Sequence, residues 1–386
     1  MRALFVTGSL VHGGAERHSI TLMNRLAEEG HECHAVYVKN DPSQLERIRL
    51  RAPGSVKCLE ASRYLDLSAL GRFGGLLSAL KPSVVVAANA YALMYATLAR
   101  RLSGIRAPLV VTWHTTRMLN AKESLQMLAY RIFFRLADCT VFVSERQRRY
   151  WRRRLLVPRR SEVIHNGVDI ERFDESWNGE PRAQARAALG CREGDFVVGL
   201  SAVLRPEKNP LQLVDAVAVL RARGVPARAL FIGDGEMRAA LEARAAERGI
   251  GAEVLVTGLK EDVRPWLAAC DAVALCSLTE AFSLAAIEAM ALGKPVVHAD
   301  VGGAAEMIVP GWNGFLFPVG DTAALVGRLA LLAEPEVAAR MGRRAREVVE
   351  AFFSERRMVE RYARTLSEIC EQPTQQEINA CQHMRT

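Results

Sequence analysis

Apolar residues along this chain fall in short runs separated by longer stretches of helical pattern. In the first half the runs ALFVTG, HAVYV, VVVAAN, LVVTW and TVFVS each end in a loop and lead into a helix-like segment. That punctuation predicts repeated strand-helix units. Because the runs are apolar on both faces, the strands should be covered on both sides, as in a parallel sheet with helices above and below. After VIHNGVD (163–169) comes an irregular polar stretch, 170–180, and the rhythm then restarts with FVVGLS, RALFIG, EVLVTG, AVALCS and KPVVHA. The expected fold is α/β, with Rossmann-like domains at 1–168 and 169–352. A helix over 353–371 is expected to pack back towards the first domain, followed by a flexible polar tail, 372–386. Two such sheets facing each other leave a cleft at the carboxy-terminal ends of their strands, where sheets of this kind place ligands.

Length and composition agree with two soluble cores. The chain has 386 residues, half of them hydrophobic, with few aromatics, which excludes a largely disordered protein. The net charge of +8 is modest, but eight of the fifteen residues from Arg146 to Arg160 are arginine. The segment containing them, SERQRRYWRRRLLVPRR, should be a helix near the end of the first domain. Its charge suits a solvated face, or attraction to anionic lipid or a lipid-diphosphate acceptor. No nucleic-acid fold motif accompanies it, which argues against a non-catalytic module binding nucleic acid. Eight scattered cysteines form no C-x-x-C pair, so neither zinc nor a disulfide framework is indicated, and a reduced cytoplasm is expected. No apolar run approaches the ~20 residues that cross a bilayer. Any membrane contact should be peripheral.

Candidate chemistry sits in the loops that follow the strands. In TEAFSLAAIEAMALGKPVV, Ser283 is a good N-cap and the first helical turn, Leu284 to Ile287, holds no acid. Its amides and positive dipole end are available to an anion such as phosphate. Glu280 precedes this helix and Glu288 lies inside it, placed to accept hydrogen bonds from hydroxyl groups; two solvated glutamates would be the plainer reading. LRPEKNP brings Arg205 and Lys208 to a strand end, where cations could neutralise a diphosphate, or could be exposed charges in a proline-bounded turn. GSLVHGGAER offers Gly13 and Gly14 for close backbone approach to a ligand, but it lacks the G-x-G-x-x-G dinucleotide fingerprint. In VVTWHTT, His114 ends a strand, while His12, His165 and His298 are weaker candidates.

The 280–288 segment closely resembles the E-x7-E motif of retaining GT-B glycosyltransferases of family four. The resemblance runs from His12-Gly13-Gly14-Ala15-Glu16-Arg17 to the last helix. It implies a sugar transferred with retention from a nucleotide-sugar donor, with UDP-sugars favoured and GDP-mannose next. The acceptor would be a hydroxyl of a glycan or lipid-linked intermediate. By resemblance, Glu288 would bind the ribose hydroxyls, Glu280 the donor sugar, and the amides around Phe282, Ser283 and Leu284 the diphosphate. Gly13 and Gly14 would border the donor phosphates and the acceptor, and His114 would position a sugar hydroxyl. The arginine that many members carry five residues before the lysine is Val203 here, so Arg205 would have to substitute for it beside Lys208. No D-x-D metal motif stands out, so neither metal nor cofactor is expected. Two relatives of this class remain as alternatives: a nucleotide-sugar 2-epimerase, whose catalytic carboxylates are not evident, and a glycogen-type synthase, for which the chain is short.

Overall fold

The computed structural model describes residues 1–11, 13–116 and 121–371; His12 and the expected tail at 372–386 lie outside them. The chain divides into two compact units. One comprises Met1–His165 with the stretch from Met358 onward, the other Asn166–Arg357. These divisions fall a few residues from the boundaries expected from sequence, and local hydrogen bonding explains the shift. Val168 N donates to Phe353 O at 2.9 Å and Glu355 N to Val168 O at 2.8 Å, which ties the entry and exit segments of the second unit to each other.

The first unit holds seven strands: β1 (Arg2–Thr7), β2 (Glu32–Tyr37), β3 (Val56–Cys58), β4 (Val84–Ala88), β5 (Leu109–Trp113), β6 (Cys139–Phe142) and β7 (Ser161–Val163). They form one parallel sheet in the order β3-β2-β1-β4-β5-β6-β7. Alternate residues of each strand feed opposite cores, as the period of two requires. Leu4, Val6, Val85 and Val111 pack under the helices Leu67–Leu80, Asn89–Ser103 and Ala121–Leu136. Ala3, Phe5, Val86 and Val110 pack against the helix Gly14–Glu28 and the last helix, Glu355–Glu371, through Met358, Tyr362 and Leu366.

The second unit repeats the architecture with β8 (Phe196–Ser201), β9 (Ala227–Ile232), β10 (Val254–Val256), β11 (Ala272–Leu275), β12 (Val296–Ala299) and β13 (Gly314–Phe317). Their order is β10-β9-β8-β11-β12-β13, again parallel. In each sheet the winding reverses once, between β1 and β4 and between β8 and β11. Loops diverge at such reversals and leave room for a ligand. The short edge strands β3, β7 and β13 lie outside the apolar runs picked out in the sequence.

Candidate active site

The reversal in the second sheet explains how residues distant in sequence meet. β8 and β11 are hydrogen-bonded neighbours, so the loops that follow them leave side by side. Leu278 N donates to Glu207 O at 2.8 Å across the two loops. The turn Pro206–Lys208 is thereby fixed, and Lys208 Nζ donates to Glu280 Oε2 at 2.5 Å. Burial alone would push the Glu280 carboxyl up. The Lys208 ammonium, its hydrogen bond and the nearby His298 ring outweigh this and hold it below the ordinary carboxylate range. Glu280 therefore stands as a carboxylate in a site that otherwise disfavours charge.

The Glu280 loop is shaped from its other side by the turn after β12. Gly303 N donates to Ala281 O at 2.8 Å. Gly302 has φ +53°, and a Cβ there would collide with the Glu280 carbonyl oxygen, so both conformation and space exclude a side chain. Asn166 Nδ2 donates to Phe282 O at 3.1 Å, and the Phe282 ring packs on Phe353 with centroids 5.3 Å apart. The Phe282 side chain is thus a buried anchor of the loop.

From this anchored loop the helix Leu284–Ala291 starts at Ser283, whose Oγ accepts from Ala286 N at 3.2 Å. The cap satisfies one of the orphan amides of the first turn. Glu288, within the helix, is only 2% exposed, unlike an ordinary helical glutamate. Lys208, Glu280, Phe282, Ser283, Leu284 and Glu288 therefore share one neighbourhood. Arg205 stands apart: its side chain is half exposed, and Glu207 lies 4.0 Å away.

His298 carries more weight here than its sequence context suggested. It lies one residue before the end of β12, fully buried, and its Nδ1 donates to Ala299 O at 2.7 Å. That bond leaves Nε2 as the acceptor nitrogen, and no described group bonds to it. Burial lowers the ring's pKa, only partly opposed by its bond to Ala299 and by Glu280. The register of β12 beside β11, which puts His298 close to Glu280, was the missing signal; it is not visible in one dimension.

In the first unit the corresponding loops are also linked. His114 follows β5, and its backbone N donates to Asn89 Oδ1 at 3.0 Å, with Asn89 in the left-handed region at φ +67°. The His114 ring lies 4.7 Å from that of His18, which in turn meets Tyr362, with His18 Nε2 and Tyr362 Oη 3.1 Å apart. Burial, reinforced by His18, drives the His114 pKa well below its ordinary value. His114 is neutral at physiological pH, and its buried Nε2 has no described hydrogen-bond partner. Gly13 caps the helix Gly14–Glu28 in extended conformation, with the Glu16 carboxylate folded back into the space a Cβ would take.

The arginine segment forms a helix only from Glu145 to Arg153, capped by Ser144; the expected extension towards Arg160 is broken at Leu155, with φ +61°. Trp151 is buried and donates to Thr115 O at 2.8 Å. Arg148 pairs with Glu145, Arg160 with Glu162 and Glu368, and Arg154 stacks on Tyr150.

Two parallel Rossmann-like sheets, the second with a lysine-glutamate pair beside a capped helix start, define the protein class. Residues 12–172 match the model of glycosyltransferase family 4, and residues 181–348 that of glycosyl transferases group 1. The chain belongs to the group 1, family 4 glycosyltransferases, and its fold is that of GT-B glycosyltransferases. It is 25% identical to Anabaena Alr3699/HepE, solved in complex with UDP-glucose, with a TM-score of 0.83 over 95% of this chain and 100% of that one. It is 27% identical to the UDP-Gal:alpha-D-GlcNAc-diphosphoundecaprenol alpha-1,3-galactosyltransferase of Escherichia coli, over 76% of this chain and 78% of that protein. With the D-inositol 3-phosphate glycosyltransferase of Jonesia denitrificans identity reaches 35%, over 42% of this chain and 40% of that protein. Against such relatives of higher identity the match spans about half of their length or less (54% and 40%).

Proposed function

We propose that the protein transfers a hexosyl group from a UDP-sugar to a hydroxyl acceptor with retention of anomeric configuration. The observation that carries this reading is the Lys208–Glu280 pair beside the capped start of the helix bearing buried Glu288. In this scheme Glu288 accepts from the ribose hydroxyls and Glu280 from the donor sugar. Backbone amides from Phe282 to Leu284 face the diphosphate. As the anomeric carbon–phosphate oxygen bond breaks, the acceptor oxygen bonds to the same face of the carbon. Its proton passes to the departing diphosphate, whose growing charge is stabilised by Lys208 and the helix start. Arg205, half exposed and capping the turn that carries Lys208, is assigned a supporting role on the diphosphate. In the first unit, neutral His114 is assigned a hydroxyl-positioning role, and Gly13 and Gly14 close backbone approach.

The UDP-glucose bound by Alr3699/HepE supports a UDP-sugar donor. The diphosphoundecaprenol substrate in the name of the Escherichia coli relative supports a lipid-linked acceptor and a place in surface polysaccharide synthesis. Thermal unfolding in a panel of nucleotide sugars tests the donor, because a ligand that binds only the native state raises the midpoint. UDP-sugars should protect the wild type, and Glu288→Ala should abolish that protection; equal protection of both would place the nucleotide elsewhere. A product with inverted anomeric configuration would exclude the retaining course.

A further inference from the structure

The helix Ala121–Leu136 departs from the usual pattern of a helix lying on a sheet. One side, carrying Met127, Tyr130 and Phe134, is buried in the first unit's core. At 100° per residue, Leu125, Leu128 and Ile132 fall together on the opposite side, and they are 70%, 54% and 58% exposed. A helix that is apolar on two opposite sides is normally covered on both; this one is covered on one side. Among residues 124–136 there is no acid, and Arg131 and Arg135 border one edge of the apolar stripe on the wheel.

The neighbouring helix extends this face. Connections from β4 to β5, β5 to β6 and β6 to β7 join adjacent parallel strands in one direction, and right-handed crossovers put their helices on one side of the sheet. A chain of rings confirms the adjacency: Phe134 meets Trp113 at 5.0 Å and Trp113 meets Trp151 at 5.5 Å. Trp151 anchors the helix Glu145–Arg153, so its exposed Arg152 and Arg153 lie on the same side of the sheet as the leucine stripe. Immediately beyond, Leu155 is 64% and Val157 58% exposed. Apolar side chains interleaved with arginines match the anionic surface of a lipid bilayer, which takes up both.

We propose that this face, centred on Leu125, Leu128 and Ile132 and flanked by arginines, docks the protein on anionic membrane. The surface differs from a purely electrostatic contact through the arginine run, because the apolar stripe belongs to another helix. The proposal stands independently of which sugar is transferred.

Sedimentation of the full chain with vesicles of phosphatidylcholine alone, or of phosphatidylcholine with phosphatidylglycerol, tests it. Wild type should pellet with the anionic vesicles and be released by salt. Leu125→Ser with Ile132→Ser should weaken binding by tenfold or more, on the order of the loss of two partly buried leucine-type side chains. Arg152→Gln with Arg153→Gln should weaken it roughly thirtyfold, at about 1 kcal/mol per arginine near an anionic surface. All four sites are exposed, so the thermal midpoint should hold, which separates lost docking from lost folding. Wild type remaining in the supernatant, or binding that survives the serine changes, would overturn the proposal. So would light scattering that shows a dimer dissociated by those same changes, because the stripe would then be covered by a second copy of the chain.

Discussion

Replacing Lys208 with methionine preserves much of the side chain's length and removes its charge, leaving the Glu280 carboxylate without the ammonium 2.5 Å away. The two side chains are 27% and 18% exposed. Their coupling should therefore fall between an exposed pair, worth about 0–1 kcal/mol, and a buried one, whose breaking costs about 3–5 kcal/mol. A loss of about 2 kcal/mol at neutral pH is expected, or roughly thirtyfold in the opening equilibrium. Its pH dependence follows from the lowered Glu280 pKa. The folded state takes up this proton less readily than the unfolded chain. The stabilisation is therefore complete above the ordinary glutamate value of about 4.3 and is lost as pH falls through the lower folded value. Wild type and Lys208→Met should accordingly differ at neutral pH and converge in acid. Hydrogen exchange of β8 and β11 amides that open with the whole unit reads this difference directly. In a Glu280→Gln background the lysine change should cost much less. An equal cost there, or a gap unchanged in acid, would refute the coupling.

Gly302→Ala should destabilise the second unit by at least 1 kcal/mol, because φ +53° and the collision with Glu280 O add. UDP-sugar protection should fall with it; a variant that keeps both would show that the loop accommodates the methyl group. His298→Gln should flatten the acid limb of the thermal stability curve. A folded histidine pKa below 6.5 gives stability that is complete above that value and lost as pH falls below it. His114 should retain part of the slope, and a curve identical to wild type would show that His298 is not the group responsible. Leu366→Ala removes a fully buried side chain that joins the last helix to the first sheet. A loss of about 2–5 kcal/mol is expected by denaturant unfolding; less than 1 kcal/mol would mean that the helix is not needed to close that core.

How much was legible depended on range. Ten strands announced themselves as apolar runs: nine lie inside a sheet, where burial on both faces leaves no polar side, and the edge strand β10 was legible because all three of its residues are apolar. β3 and β7, only three residues each, lie at the sheet edge with partly exposed side chains, and β13, though apolar in three of its four residues, also lies at an edge. An edge strand has one strand neighbour, and its composition carries a weaker pattern. The cap at Ser283 was legible because capping is a contact between residues close in sequence. His298 was not: its importance comes from β12 lying beside β11, a pairing between segments with a helix between them.

The arginine run shows the same division. Sequence alone established its charge and its place after a strand, and also the two-fold strand-helix rhythm and the glutamates on either side of a helix start. All of these rest on composition and on neighbours within a turn or two. Only the tertiary structure decided that Lys208 meets Glu280, that Glu288 is buried, and that Trp151 turns inward while Leu125, Leu128 and Ile132 turn out. Those outcomes depend on strand order and on which side of each helix the sheet covers. Both are set by packing between segments far apart in the chain, where local propensity has no influence.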